Sequence, residues 1–86
     1  MFTRKSDRAL VFRFEKEKKV ALHMFFVFYP IDVVYLNSDK KIVELKPYLR
    51  PFSVYFPKHK ARYVLELPAG YIQEHSLVIG NEYMLG

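Results

Sequence analysis

The sequence predicts a mainly β protein, a small β-sandwich or barrel of about six strands with one short helix near residues 69–75. Apolar and polar side chains alternate along several short segments, which is the period of a strand with one buried face. Prolines and polar turns separate these segments. A hydrophobic content of 51% in 86 residues supplies enough large side chains for one core, so we expect a single domain over residues 1–86.

The first part of the chain predicts a β-hairpin. Large apolar side chains occupy every second position in residues 9–14, which predicts a first strand. The charged residues 15–19 form a run short enough to be the loop of a hairpin. Alternation resumes over residues 20–28 and predicts a long second strand, which ends where Pro30 removes a backbone donor.

A second hairpin is predicted in the middle of the chain. Residues 31–36 form a third strand, and residues 41–45 are a second β-branched segment. The polar residues 37–40 connect the two segments and favour a tight turn. We therefore expect residues 32–36 and 41–45 to pair.

The last part of the chain predicts two strands, a helix and a closing strand. Prolines interrupt residues 47–57 and indicate a loop with at most a short strand near residues 53–56. Residues 61–67 alternate again as a strand. Pro68 suits the first position of a helix over residues 69–75, and residues 82–85 can close the sheet.

The net charge of +5 comes from the N-terminal part of the chain. Residues 1–19 contain seven Lys and Arg against three acids, whereas residues 20–86 contain seven against six. The basic N-terminal segment, residues 1–8, could attract anionic partners such as nucleic acid. A solvated cluster that keeps the domain soluble explains the same charge more simply.

The composition excludes several kinds of site. The chain has no cysteine, so a thiolate metal site, a disulfide and a thiol nucleophile are impossible. We expect no cofactor and no bound metal. Because no apolar stretch is long enough to span a bilayer and no secretory signal is visible, we expect a cytoplasmic protein without membrane contact. Scarce Asn and Gln beside abundant Lys, Arg and Glu indicate a thermophilic source.

Three segments carry a resemblance to a known family. Residues 28–36, 41–47 and 62–70 read FYPIDVVYL, KIVELKP and RYVLELPAG. In this order and spacing they resemble the family called domain of unknown function 192, over about residues 9–86. The resemblance implies a small β-sandwich or barrel with one short helix, and it implies no activity.

The chain departs from the family pattern at three places. Lys40 stands where the family usually has glycine in the hairpin turn, so we expect Asn37 or Asp39 to adopt the positive φ angle. Asn81 replaces the aspartate of a closing Gly-Asp turn. Family members typically carry a further strand and helix before this region. If that strand is missing, an unpaired edge strand remains, and we predict a possible homodimer through it.

The proline-rich loop contains the main candidate ligand-binding residues. They are aromatic and cationic side chains, a combination suited to stacking on sugars or bases beside an anionic group: Tyr48, Arg50, Tyr55, Lys58 and Arg62. The competing interpretation is that Phe52 and Phe56 cap the core while the cations are solvated.

Three polar residues within predicted strands are further candidates. His23, Asp32 and Glu66 could serve a hydrolase-type enzyme only if they converge in a cleft. Glu44 and Glu66 are explained more simply by outward-facing salt bridges with Lys46 or Arg62. Asp32 follows a proline among apolar residues and must be paired if it is buried. We assign no catalytic residue.

These observations favour a noncatalytic binding or interaction module for an anionic or carbohydrate-like ligand. Nucleic-acid binding is the alternative, since residues 67–80 are loosely similar to a segment of swapped-hairpin transcription regulators. A hydrolase-type enzyme is the third hypothesis, and the sequence leans against it.

Overall fold

The structure, a computed structural model, describes residues 9–24 and 28–84. Four strands form an antiparallel sheet in the order β1-β6-β3-β4, and β2 and β5 form a separate antiparallel pair. The predicted mainly β fold with one short helix is confirmed. The elements are β1 Leu10–Lys18, β2 Leu22–His23, β3 Ile31–Leu36, β4 Ile42–Leu49, β5 Val54–Tyr55, β6 Ala61–Pro68 and α1 Tyr71–Glu74.

The predicted hairpin between β3 and β4 is confirmed, but the turn uses another residue than expected. The Oδ1 atom of Asn37 accepts the N–H groups of Asp39 (2.9 Å) and Lys41 (3.0 Å), which closes the turn. Lys40, with φ 61°, adopts the left-handed conformation that we expected at Asn37 or Asp39. The positive φ angle therefore occurs at the residue where the family usually has glycine.

β1 differs from its predicted length and partner. It continues through the charged run to Lys18 and pairs with β6, so residues 15–18 are not a hairpin loop. The register places Arg13 opposite Tyr63 and Lys18 opposite Ala61, which leaves residues 14–17 as a wide bulge. β1 and β4 form the edges of the four-stranded sheet, and the homodimer through an unpaired edge strand stays a prediction.

β2 is shorter than expected and belongs to the second sheet. Only Leu22 and His23 are in a strand, paired with Tyr55 and Val54 of β5. Residues 25–27 of the predicted strand lie outside the described part of the chain. The short strand expected near residues 53–56 is confirmed as β5.

The large sheet buries apolar side chains on both faces. Strand neighbours directly opposite each other share a face, so the register assigns each residue to a side. The side toward β2 and β5, the β5 face, buries Met24, Ile31, Val33, Tyr35, Leu49, Ala61 and Val64. The side toward α1, the helix face, buries Val34, Leu36, Ile42, Leu65 and Leu67.

The C-terminal part of the chain covers the helix face. Pro68 ends β6 rather than starting the helix, and α1 begins after Gly70, whose φ of 93° few other residues tolerate. The predicted last strand is reduced to one bridge between Lys41 and Glu82; Leu85 lies outside the described residues. Within residues 9–24 and 28–84, no helix is long and apolar enough to cross a membrane.

We expect Lys40→Gly to stabilise the protein by about 1 kcal/mol, because glycine removes the side-chain clash of the left-handed conformation. In a domain of this size the midpoint of thermal unfolding should rise by about 5 °C. Lys41→Gly is the matched control: it changes a neighbouring lysine without a positive φ and should lower the midpoint. A lower midpoint for Lys40→Gly would contradict the strain assigned to this turn.

Candidate functional site

An exposed aromatic pair marks the loop between β4 and β5. The rings of Phe28 and Phe52 meet edge to face, with centroids 5.2 Å apart and an interplanar angle of 77°. The interpretation that Phe52 and Phe56 cap the core is wrong, since they are 58% and 71% exposed. Monomeric proteins seldom leave large neighbouring aromatic side chains in water without a use for them.

A depression of about 310 Å³ is lined by residues of the same loop and of the flanking strands β4 and β5. Phe52 occupies the loop between Arg50 and Ser53, both of which line the depression. Its other lining residues are Lys46, Tyr48, Leu49, Val54 and Tyr55. The exposed Phe28–Phe52 pair and this depression together form the aromatic patch.

The backbone holds the aromatic patch in an uncommon conformation. Tyr48 and Phe52 have φ angles of 50° and 62°, a region that costs residues other than glycine about 1–2 kcal/mol. Met24, buried in the core, exchanges two backbone hydrogen bonds with the loop, at Phe52 (2.7 Å) and Ser53 (2.8 Å). The loop is therefore anchored, and its aromatic side chains are held outward.

Asp32 positions Tyr48. The register between Ile31↔Leu49 and Val33↔Lys46 leaves a bulge in β4 opposite Asp32. Asp32 is 1% exposed; its Oδ1 accepts the N–H of Tyr48 and its Oδ2 accepts the N–H of Ile72, both at 2.8 Å. The expectation that a buried Asp32 must be paired is confirmed. The carboxylate joins the aromatic patch to α1.

Glu44 anchors β5 and the loop between β5 and β6. The expected outward salt bridge with Lys46 is wrong, because Glu44 is only 6% exposed. Its carboxylate accepts the hydroxyl of Tyr55, the N–H groups of Lys58 and His59, and the Nδ1 of His59 at 2.9 Å. The ammonium of Lys46 lies 5.7 Å from the centroid of the Tyr55 ring.

These contacts fix protonation states around Glu44. Burial alone would raise the pKa of Glu44, but the hydrogen bonds from Tyr55, His59 and the two backbone donors lower it overall. Burial and the Glu44 carboxylate raise the pKa of Tyr55 to about 12. Burial also raises the pKa of Tyr35, whose hydroxyl has no hydrogen-bond partner among the described residues. Glu44 is thus an ionised acceptor, and both tyrosines are neutral.

The residues proposed for an enzyme do not assemble into one cleft. Glu66 pairs with Val33 on the β5 face, whereas Asp32 pairs with Leu67 on the helix face. Their side chains therefore project to opposite sides of the sheet. His23 is exposed on β2, in the other sheet. Among residues 9–24 and 28–84, no three His, Asp or Glu side chains form a group that could hold a metal ion.

The predicted loop site is divided between two edges of the sheet. Tyr48, Arg50 and Tyr55 line the depression beside β4. Lys58 lies next to Glu44, while the Nε of Arg62 donates to the carbonyl of Phe14 in β1 (2.7 Å). β4 and β1 are the opposite edges of the four-stranded sheet.

Sequence reasoning missed the roles of Glu44 and His59. Glu44 stands alone among apolar neighbours in a predicted strand, which is the same signal that singled out Asp32. His59 carried no such signal, because its role depends on the loop folding back over β4.

The family model for DUF192, described as "Uncharacterized ACR", matches residues 1–85. The chain belongs to this family. A UPF0127 protein from Thermococcus sibiricus is 39% identical over 84 residues, covering 95% of this chain and 54% of that protein. A UPF0127 protein from Pyrococcus abyssi is 36% identical over 81 residues, covering 92% of this chain and 68% of that protein.

The DUF192 relatives agree with the thermophilic signature of the composition, because they come from thermophilic archaea. This chain spans about half the length of the Thermococcus sibiricus relative. The family name assigns no activity, which is what the resemblance implied.

Two solved structures share the fold of this DUF192 chain. A "putative transcription regulator" from Sinorhizobium meliloti superposes with a TM-score of 0.83 at 24% identity, covering 93% of this chain and 64% of that one. A protein of unknown function from Novosphingobium aromaticivorans gives 0.81 at 13% identity, covering 93% and 59%. At these identities the likeness establishes the fold alone.

We expect Glu44→Gln to destabilise the protein by about 3 kcal/mol at neutral pH, because a neutral amide cannot accept the same donors as the carboxylate. The folded-state pKa of Glu44 lies below its ordinary value of 4.5. The contribution of Glu44 is therefore present above about pH 4.5 and is lost as the pH falls through the folded pKa. Urea unfolding at several pH values measures this.

The free energies of unfolding of the wild-type protein and of Glu44→Gln should converge at acidic pH, since the wild-type carboxylate is then protonated. Glu82→Gln, at an exposed acid outside the network, is the control and should change little. A constant difference between wild type and Glu44→Gln across the acidic range would contradict the network.

We expect Asp32→Asn to destabilise the protein by about 3 kcal/mol, because the amide of asparagine can accept only one of the two backbone donors. Hydrogen exchange should accelerate at the amide of Tyr48, at that of Ile72, or at both. Asp39→Asn, in an exposed turn, is the matched control. Unchanged exchange at both amides would show that Asp32 does not hold the loop to α1.

Proposed function

We propose that this protein is a noncatalytic binding module whose aromatic patch holds an anionic or carbohydrate-like ligand. The exposed, edge-to-face contact of Phe28 with Phe52 carries the proposal. Two large exposed rings, one of them on an anchored loop with a positive φ angle, are better explained by a ligand than by folding, because neither ring contributes to the core.

Stacking supplies the first part of the recognition. Aromatic faces bind the apolar face of a sugar ring or the face of a base, and the exposed rings of Tyr48 and Phe52 are suited to this contact. The bonds of Tyr48 to Asp32 and of Phe52 to Met24 hold the backbone in place before a ligand arrives. Such preorganisation lowers the entropy cost of binding.

Charge supplies the second part. Arg50 and Lys46 line the depression, and among the described residues that line it none is acidic. A guanidinium at this position can bind a sulfate, phosphate or carboxylate group with two parallel hydrogen bonds. A sugar that carries one negative group uses both the rings and the cations.

Single-stranded nucleic acid is the second candidate, since it also presents flat rings beside negative charges. The exposed aromatic side chains of Tyr48 and Phe52 near Arg50 favour this candidate. Its signature is an affinity that falls steeply as salt rises.

Calorimetric titration separates these ligands. We expect a sulfated oligosaccharide to bind more tightly than its neutral counterpart, and Phe52→Ala to weaken binding about tenfold or more through the loss of stacking. Phe12→Ala is the matched control, because Phe12 is a partly exposed aromatic residue on the opposite edge strand. It should leave the affinity unchanged.

Equal affinity of Phe52→Ala, Phe12→Ala and the wild-type protein would overturn the aromatic patch as the binding surface. Binding of single-stranded DNA alone, with a steep salt dependence, would replace the carbohydrate-like ligand by nucleic acid. The thermal midpoint of each variant, measured without ligand, shows whether the fold is retained.

A further inference from the structure

A buried carboxylate lies directly behind an exposed imidazole on the loop between β5 and β6. The Oε1 atom of Glu44 is 2.9 Å from the Nδ1 atom of His59. The side chain of Glu44 is 8% exposed, whereas that of His59 is 57% exposed. The hydroxyl of Tyr55 and the backbone N–H groups of Lys58 and His59 also donate to the carboxylate. Several hydrogen bonds therefore hold the acid and the ring in one geometry.

This contact fixes the tautomer of His59. Burial raises the pKa of Glu44, but its hydrogen bonds lower it overall, so the carboxylate accepts and has no proton to donate. The neutral imidazole therefore has its proton on Nδ1 and its lone pair on Nε2. The two nitrogens lie on different sides of the ring. Nε2 thus points away from Glu44, toward the exposed side.

His75 provides a comparison within the same chain. Its Nδ1 is 3.2 Å from the carbonyl oxygen of Tyr71, which also leaves the lone pair on Nε2, and its side chain is 47% exposed. The ring stacks on that of Tyr71, with centroids 3.8 Å apart. The carboxylate of Glu74 lies 4.0 Å from Nδ1, beyond hydrogen-bond distance. The Nδ1 of His75 thus contacts a neutral carbonyl, whereas that of His59 contacts a buried carboxylate.

The carboxylate makes Nε2 of His59 the stronger nucleophile of the two. When Nε2 forms a covalent bond, the ring becomes positively charged, and a carboxylate bound to Nδ1–H stabilises that charge. A buried carboxylate does so with little screening by water. The carbonyl beside His75 supplies only a dipole. We therefore expect His59 to react faster than His75 with an electrophile.

The chain neighbours of His59 favour a negatively charged electrophile. Lys58 and Lys60 are exposed cations, one on each side of the histidine. A phosphoryl group bears about two negative charges at neutral pH, so both cations favour its approach. An acyl phosphate is a suitable donor, because its leaving group is a carboxylate that needs no proton from the protein.

We propose that His59 is a phosphoryl-acceptor site, phosphorylated at Nε2 by an acyl phosphate. The lone pair of Nε2 forms the N–P bond, while the bond between phosphorus and the acyl oxygen breaks and its electron pair leaves with the carboxylate. Nδ1 keeps its proton, and Glu44 balances the positive charge of the ring. Glu44 is a positioning residue. The site goes beyond ligand binding at the aromatic patch and does not depend on it.

The test is incubation of the whole 86-residue chain with acetyl phosphate, followed by peptide mass spectrometry at alkaline pH, at which phosphohistidine survives. We expect phosphorylation of His59 to be about tenfold faster than that of His75 in the same molecule. Phosphorus NMR should place the group on Nε2. This comparison needs no substitution, so it does not depend on the stability of a variant.

Three variants test the assigned roles. Glu44→Gln should slow the phosphorylation of His59 about tenfold and leave that of His75 unchanged, when both are measured below the thermal midpoint of the variant. Nitrogen NMR should show that His59 loses its preference for the Nδ1–H tautomer in Glu44→Gln. Lys58→Gln should slow the reaction several-fold at low salt but not at high salt. Arg13→Gln, which removes an exposed cation from the opposite edge strand, is the matched control.

Three results would overturn the phosphoryl-acceptor site. They are equal rates at His59 and His75 in the wild-type protein, attachment of the group to Nδ1, and an unchanged rate at His59 in Glu44→Gln. An equal effect of Lys58→Gln and Arg13→Gln would contradict the selection of a negatively charged electrophile by the neighbouring cation. The covalent product is measured without a ligand at the aromatic patch, so failure of the proposed function leaves this test intact.

Discussion

The buried carboxylate of Asp32 is the constraint on which most of the structure depends. A charge that is 1% exposed is tolerated only when hydrogen-bond donors replace water. The two donors come from residues 16 and 40 positions further along the chain, at Tyr48 and Ile72. These two hydrogen bonds hold the bulge of β4 and the start of α1 next to β3. The position of the exposed Tyr48 thus follows from the carboxyl group of Asp32 inside the core.

Glu44 repeats the same principle on the β5 face. Its carboxylate gathers donors from Tyr55, Lys58 and His59, which folds the loop between β5 and β6 against β4. Asp32, which invites a catalytic interpretation in the sequence, and Glu44 therefore both position backbone segments. This arrangement explains how a small domain, whose described part contains a single four-residue helix, can hold its loops in fixed positions. Two buried carboxyl groups hold the loops that its limited core does not contact.

Local patterns explain which parts of the fold were predictable. The hairpin of β3 and β4 was visible because its strands and turn are contiguous and its turn residues are polar. The pairing of β1 with β6 was missed because charged residues 15–18 resemble a loop, although an edge strand tolerates charges well. Likewise, alternation over residues 20–28 could not reveal that only Leu22 and His23 form a described strand, since their partner β5 is itself two residues long.

The sequence by itself determined the fold class, the family and the strands of the central hairpin, because these depend on residue type and on spacing along the chain. Only the tertiary structure decided that Asp32 and Glu66 face opposite sides, that Phe52 is exposed and that the side chain of Arg62 contacts β1 rather than the aromatic loop. A period of two shows that side chains alternate between faces, but it does not show which face is covered. That choice depends on partners brought together from distant parts of the chain.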